Sequence, residues 1–391
     1  MQQYHPKQPH ILFLFTDAGG GHRSAAEAVI EALHLEYGDQ VSTEMVDFLK
    51  DYAPWPFDQL PAWYPPMVSV PQLYGLGFRL SNHRLTARAL LDGTWPYVKA
   101  ATHRLIDEHP CEMIVSVHAV ACWPIIKALG QNCPTIITII TDLISTHVLW
   151  YHPKVDLCLA PTEAARQRAL RFGLKPERVQ VVGLPVGDRF CQPLGDKKAL
   201  RLRFGWPPER PLVFLVGGGE GMGPLEKVAR AISHGCPAVT LVVVAGRNQE
   251  LKQRLEEMDW PIPVFVYGFV HQMPEFMRAA DILVTKAGPG TICEALIAGL
   301  PMVLFAHLPG QEEGNVMYVV SEGAGTWAPH PDQIVAAINY WLDHPEVYSE
   351  AIAACQRLAR PQAARQIAQF IAHQLGITQL EQTISADTRR Q

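Results

Sequence analysis

The feature that most limits what this chain can fold into is an alternation that runs through it twice. Short apolar, β-branched runs alternate with stretches of helical periodicity, the pattern of parallel sheets covered by helices on both faces. In the first series, strands are expected at 10–16, 41–48, 113–118, 135–141, 155–160 and 179–182, with helices at 24–37 and 163–172. Residues 183–208 then turn rich in Gly, Pro and charge, as a connector does. In the second series, strands are expected at 212–216, 239–245, 264–267, 282–285 and 302–305, with helices at 224–233, 249–258, 291–298 and 315–322. This divides the chain into a first domain, 1–190, a linker, 191–208, and a second domain, 209–345. Helices within 346–376 could cross back to the first domain, and 377–391 forms a polar tail.

Composition narrows the function. The chain is 48% hydrophobic and 18% charged, with a formal net charge of -5. It can bury large cores, and its acidity argues against a nucleic-acid partner. No apolar run approaches the roughly 18–20 residues of a membrane span. The polar first nine residues lead straight into a strand, so no secretory signal is expected. The eight cysteines are scattered without a CxxC pair, which suits free thiols in a reducing, cytoplasmic setting.

Residues 52–82 break the rhythm. They carry six prolines (54, 56, 61, 65, 66 and 71) among Trp55, Phe57, Trp63, Tyr64, Tyr74 and Phe78. So many prolines predict an irregular loop, and so many aromatics predict a functional one.

Three glycine-rich turns carry the chemistry. The first strand ends in Thr16-Asp17-Ala18-Gly19-Gly20-Gly21-His22. Backbone amides of such a turn, with a helix N-terminus behind them, form an anion site. A neutral His22 at its mouth can accept an alcohol proton. The second domain opens with five glycines in seven residues, Gly217 to Gly223. That is costly to order unless a ligand such as a diphosphate comes close. The third turn, Lys286-Ala287-Gly288-Pro289-Gly290-Thr291-Ile292-Cys293-Glu294, opens a helix. There Gly290 and Thr291 can hold phosphate oxygens and Glu294 can accept both hydroxyls of a ribose. Gln311 and Glu312, after the last strand, are groups that read sugar hydroxyls.

These segments, TDAGGGHRSAAEAV, GGGEGMGP and TKAGPGTICEALIAGLP…PGQEEGN, with Thr141-Asp142 and His147–Pro153, resemble the monogalactosyldiacylglycerol synthase family. That family is related to the peptidoglycan lipid-intermediate N-acetylglucosaminyltransferase and to bacterial diacylglycerol glucosyltransferases. The likeness runs in order from about residue 10 to 325. It departs at Leu149, where the family often has Thr.

The resemblance implies an α/β, GT-B fold: two Rossmann-like domains facing each other across a cleft, the first for acceptor and membrane, the second for a nucleotide sugar. Gly218, Gly219, Gly290 and Thr291 would contact the diphosphate, Glu220, Gly221 and Gly288 would belong to the same donor site, and Glu294 would bind the ribose. Phe269 and Val270 would meet the uracil, and Gln311 and Glu312 the hexose. His22 would be the base, beside Gly20 and Gly21, with Asp142 its partner or rival for that role. The chain has no DxD motif, so no metal cofactor is expected, with helix dipoles and amides stabilising the leaving diphosphate. The substrates would be a UDP-hexose, UDP-galactose foremost, and diacylglycerol, joined with inversion to a β-glycoside.

A lipid acceptor requires contact with the bilayer, expected at the inner face of the membrane. Trp55, Phe57 and Trp63 are the expected anchors, and Arg79 and Arg84 lead a stretch of five basic residues against one acid, Asp92, suited to anionic lipids. UDP-glucose as donor, processive transfer, a different acceptor, a 2-epimerase and a non-enzymatic sugar-nucleotide sensor stay open at this level.

Overall fold

A computed structural model describes residues 8–17, 20–68, 70–130, 133–193, 195–221 and 223–378. The first sheet holds β1 (His10–Phe15), β2 (Ser42–Asp47), β3 (Met113–Ser116), β4 (Thr135–Ile139), β5 (Leu157–Ala160) and β6 (Val179–Val181), in the order β2-β1-β3-β4-β5-β6. The second holds β7 (Leu212–Val216), β8 (Thr240–Val244), β9 (Val264–Tyr267), β10 (Ile282–Lys286), β11 (Met302–Ala306) and β12 (Gly325–Trp327), in the order β12-β11-β10-β7-β8-β9. All neighbours are parallel.

The apolar runs are continuous because each sheet is covered twice. Ile11, Phe13 and Phe15 of β1 enter one core, and Leu12 and Leu14 enter the core on the opposite face. In β7, Leu212, Phe214 and Val216 divide from Val213 and Leu215 in the same way.

Parallel open sheets bind ligands where the strand order reverses, beyond the carboxyl ends of the strands. Here those points lie between β1 and β3 and between β7 and β10. The first glycine turn follows β1; the other two follow β7 and β10. The topology therefore gathers the three turns at two crevices.

The helix Ala363–Gln374 returns to the first domain, where Ile367, Ala368 and Ile371 share a core with Ile11 and Val29. Residues 191–208 are not a free tether. The helix Lys197–Arg203 puts Leu200 into the second domain's core beside Trp206, and buried Arg201 pairs with Asp281 at 2.5 Å.

The expected irregular loop at 52–82 is instead largely helical. Its main helices are Leu60–Val68 and Pro71–Ser81, followed by Arg84–Glu108. Pro61 and Pro71 sit in first turns, where a missing N–H costs nothing. Pro65 and Pro66 fall inside a nine-residue helix, which has few internal hydrogen bonds to lose. Strand β12 also goes beyond the sequence expectation, whereas the helix Pro345–Leu358 falls within the expected helical stretch.

Candidate active site

His22 is the second residue of the helix Gly21–Tyr37, whose start has no side-chain cap and no acid in its first turn. Gly20 adopts φ 77°, and nothing lies within 4 Å of a side chain built at Gly20 or Gly21, so this turn is open. Gly19 lies outside the described residues. The His22 Nδ1 is 2.8 Å from the Val117 carbonyl and 2.9 Å from Thr141 Oγ1. A carbonyl can only accept, so Nδ1 carries the proton and Nε2 keeps its lone pair. Burial lowers the His22 pKa, partly offset by the Asp142 carboxylate. His118 meets His22 edge-on at 4.6 Å and is held well below the usual histidine range by burial, with the His22 and His147 charges adding to it.

Asp142 does not hydrogen-bond His22. Its Oδ2 accepts from Trp150 Nε1 at 2.8 Å and its Oδ1 from Gln311 Nε2 at 2.9 Å. The second of these bonds crosses the cleft. Gly314 N–H donates to Ser145 Oγ at 3.2 Å, and Arg79 pairs with Glu313 at 3.1 Å. Asp142 thus influences His22 through its charge and holds the second domain through Gln311.

Across the cleft, the helix Pro289–Ala298 begins with Gly288 as an uncapped N-cap and no first-turn acid. Its first N–H groups lack helical acceptors, and space is open at Gly290. Glu294, half-buried, has no hydrogen-bond partner among the described residues, and burial raises its pKa to about 7. Gly218 has φ 79°, with Lys286 Cε 3.4 Å from where its Cβ would stand. Lys286 Nζ also lies 3.1 Å from the corresponding point at Gly288. That places a cation between the two glycine turns, which sequence reasoning left out.

Several of the expected site residues have structural partners of their own. Gly221 has a packing reason: with φ 62°, a Cβ there would stand 2.1 Å from the Ala245 carbonyl oxygen. Glu312 is buried, with Oε1 on Lys286 Nζ at 2.9 Å and Oε2 on the Leu308 N–H at 2.8 Å. Both oxygens are thus engaged in holding the turn and the cation. Glu220 pairs with Arg247 at 2.5 Å, and Arg247 lies 4.7 Å over the exposed ring of Phe269. Val270 packs against the core. No group of three or more His, Cys, Asp or Glu gathers to hold a metal among the described residues.

The bilayer expectations divide in two. Trp55 is 70% exposed and Trp63 is exposed as well, but Phe57 packs edge-on against Tyr97 at 6.0 Å. Arg79, Arg84 and Arg88 are all exposed, Arg79 pairing with Glu313 and Arg88 with Asp92 at 3.6 Å. What the sequence did not single out is an aliphatic face: Met67, Leu73, Leu76, Leu80, Leu85 and Leu90 are all exposed.

Two doubly wound sheets meeting at a cleft, with glycine turns at helix N-termini on one side and an oriented histidine on the other, define the GT-B fold. Solved structures share the fold. Acinetobacter baumannii MurG superposes with a TM-score of 0.61 at 13% identity, over 93% of this chain and 100% of that one. The S. aureus MnaA–UDP structure gives 0.62 at 15% identity, over 95% and 98%. Anabaena HepE with UDP-glucose gives 0.56 at 17%, over 93% and 100%. At these identities the likeness speaks for the fold alone.

The sequence comparisons define the family. Residues 22–186 match the monogalactosyldiacylglycerol (MGDG) synthase model, and residues 212–369 match the glycosyltransferase family 28 C-terminal domain. The chain is 36% identical to MGDG synthase 1 of Arabidopsis thaliana over 369 residues, 91% of this chain and 69% of that protein. It is 37% identical to the Spinacia oleracea MGDG synthase over 349 residues, 86% and 67% respectively. The chain belongs to the MGDG synthase family.

Proposed function

We propose that this protein transfers a hexose, galactose foremost, from its UDP derivative to the free hydroxyl of 1,2-diacylglycerol with inversion at the anomeric carbon. The observation that carries this reading is the oriented His22, its Nε2 free in one switch-point crevice while the uncapped turns of the second domain face the same cleft. In the reaction the acceptor oxygen bonds to the anomeric carbon as the bond to the diphosphate oxygen breaks. The acceptor proton goes to His22 Nε2, and UDP leaves with the electron pair. The N–H groups of Gly290 and Thr291, the turn at Gly218 and Gly219, and the Lys286 ammonium receive the growing diphosphate charge. Glu294 takes the ribose hydroxyls, and the backbone at Phe269 and Val270 meets the uracil.

Galactose is favoured because the relatives are named for monogalactosyldiacylglycerol. For the lipid, the exposed leucines and Trp63 on the helices between Leu60 and Glu108 supply apolar surface on the acceptor domain. No helix among the described residues is long and apolar enough to cross a membrane, and the reading is peripheral contact with an anionic bilayer. The test is incubation with diacylglycerol and labelled UDP-galactose or UDP-glucose in turn, followed by lipid chromatography. A labelled monohexosyl lipid from UDP-galactose is expected. Label in the lipid only from UDP-glucose would reassign the donor, and none from either would overturn the reading.

A further inference from the structure

Gln311, carried by the second domain, has both ends of its amide held by the first. Its Nε2 donates to Asp142 Oδ1 at 2.9 Å, and its Oε1 accepts from the Tyr74 hydroxyl. Asp142 offers no proton when ionised, so the amide nitrogen must face it and the oxygen must face Tyr74. Each end keeps one further valence: a second N–H and a second lone pair. An amide pinned this way presents one donor and one acceptor in a fixed order, as needed to tell one arrangement of sugar hydroxyls from another.

Tyr74 is itself firmly placed. It lies on the inward face of the helix Pro71–Ser81, meeting the Tyr64 ring edge-on at 6.3 Å. Its neighbour Gly75 is buried so close to the next domain that a Cβ would stand 2.6 Å from Pro309 Cβ. One turn on, Phe78 lies 3.0 Å from where a Gly310 Cβ would stand. The opposite face of the same helix exposes Leu73, Leu76 and Leu80. The helix is therefore seated against the turn that carries Gln311.

We infer that Tyr74 is a positioning residue that fixes the Gln311 amide for recognition of the donor hexose, an inference that rests on the donor site proposed above. Tyr74→Phe keeps the ring and removes the anchor. Calorimetry with UDP, UDP-galactose and UDP-glucose, alongside steady-state kinetics, tests it. UDP should bind the variant as it binds wild type. The affinity gained by adding the transferred hexose to UDP should fall about 3- to 10-fold, the scale of one net hydrogen bond. Preference between the two UDP-hexoses should narrow, and the donor KM should rise more than kcat falls. Unchanged hexose gain and unchanged preference, with UDP binding intact, would overturn the role of Tyr74. Failure of wild type to bind UDP would instead overturn the donor site, and this inference with it.

Discussion

In the proposed reaction, His22 works through Nε2, the nitrogen its structural partners leave alone. Burial, the larger influence, disfavours imidazolium, so at pH 7 the group is the neutral base. The acid limb of kcat/KM should therefore lie below pH 6.5, the ordinary histidine value. His22→Ala should lower kcat by about 10²–10⁴-fold while UDP binds normally; a variant keeping a third of the rate would exclude the role. Asp142→Asn removes the charge that raises the His22 pKa and should move that limb to still lower pH. Glu294 behaves in the opposite sense. Its pKa of about 7 in the unliganded protein means that it binds a proton more tightly folded than unfolded. Its contribution to folding stability is thus present below the ordinary value of 4.5 and lost as pH rises through about 7. The proposed ribose contact needs the carboxylate form, so UDP affinity should fall as pH drops through 7. Glu294→Gln should bind UDP more weakly at pH 8 and flatten that dependence; titrations at pH 6 and 8 decide, and equal slopes would move Glu294 to a packing role. His22 and Glu294 could be singled out as candidates from the sequence because each sits in or next to a glycine turn. The pairings of Asp142 with Gln311 and of Glu312 with Lys286 were not legible there, because those bonds join residues 169 and 26 positions apart and only the fold brings them together.

At the scale of elements, the strands were legible because parallel sheets covered on both faces need unbroken apolar runs. The helices of 60–108 were not, because proline count reports what a helix interior cannot hold and says little about first turns. Their outer face was hidden for a related reason. Leucines at helical spacing ordinarily mark a core, and only the fold leaves Leu73 and Leu85 67% and 72% exposed. An apolar face of this kind on a protein surface marks an interaction site. Replacing Leu73, Leu76 and Leu80 by Ser should reduce sedimentation with phosphatidylglycerol vesicles with little change in the melting temperature, since these side chains leave no cavity. Binding should also weaken at high salt, because the Debye length falls from about 10 Å at 0.1 M to about 3 Å at 1 M. Unfolding of the variant, with wild type indifferent to vesicles, would make the face a packing surface instead.

The whole molecule is closed by its last described helix. Ala363–Gln374 follows the second domain in sequence but buries Ile367 and Ile371 completely against the first. Arg365 on the same helix pairs with Glu36 at 3.1 Å and with Asp188 at 3.0 Å. A cleft enzyme whose base and donor site stand on different domains depends on such a tie, because misplacement of reacting groups by about 1 Å can cost about 100-fold in rate. Ile371→Ala should cost about 2–5 kcal/mol, and the loss should fall on the first domain. Two coupled domains need not unfold together, so the transition to follow is that of the first sheet. UDP separates the two, because a ligand stabilises only the body that binds it. In the variant, saturating UDP should raise the transition of the second domain and leave that of the first lowered. Turnover should fall while UDP affinity holds. A variant in which UDP affinity drops in step with stability would place the helix's contribution in the donor domain and remove it as the tie between the two.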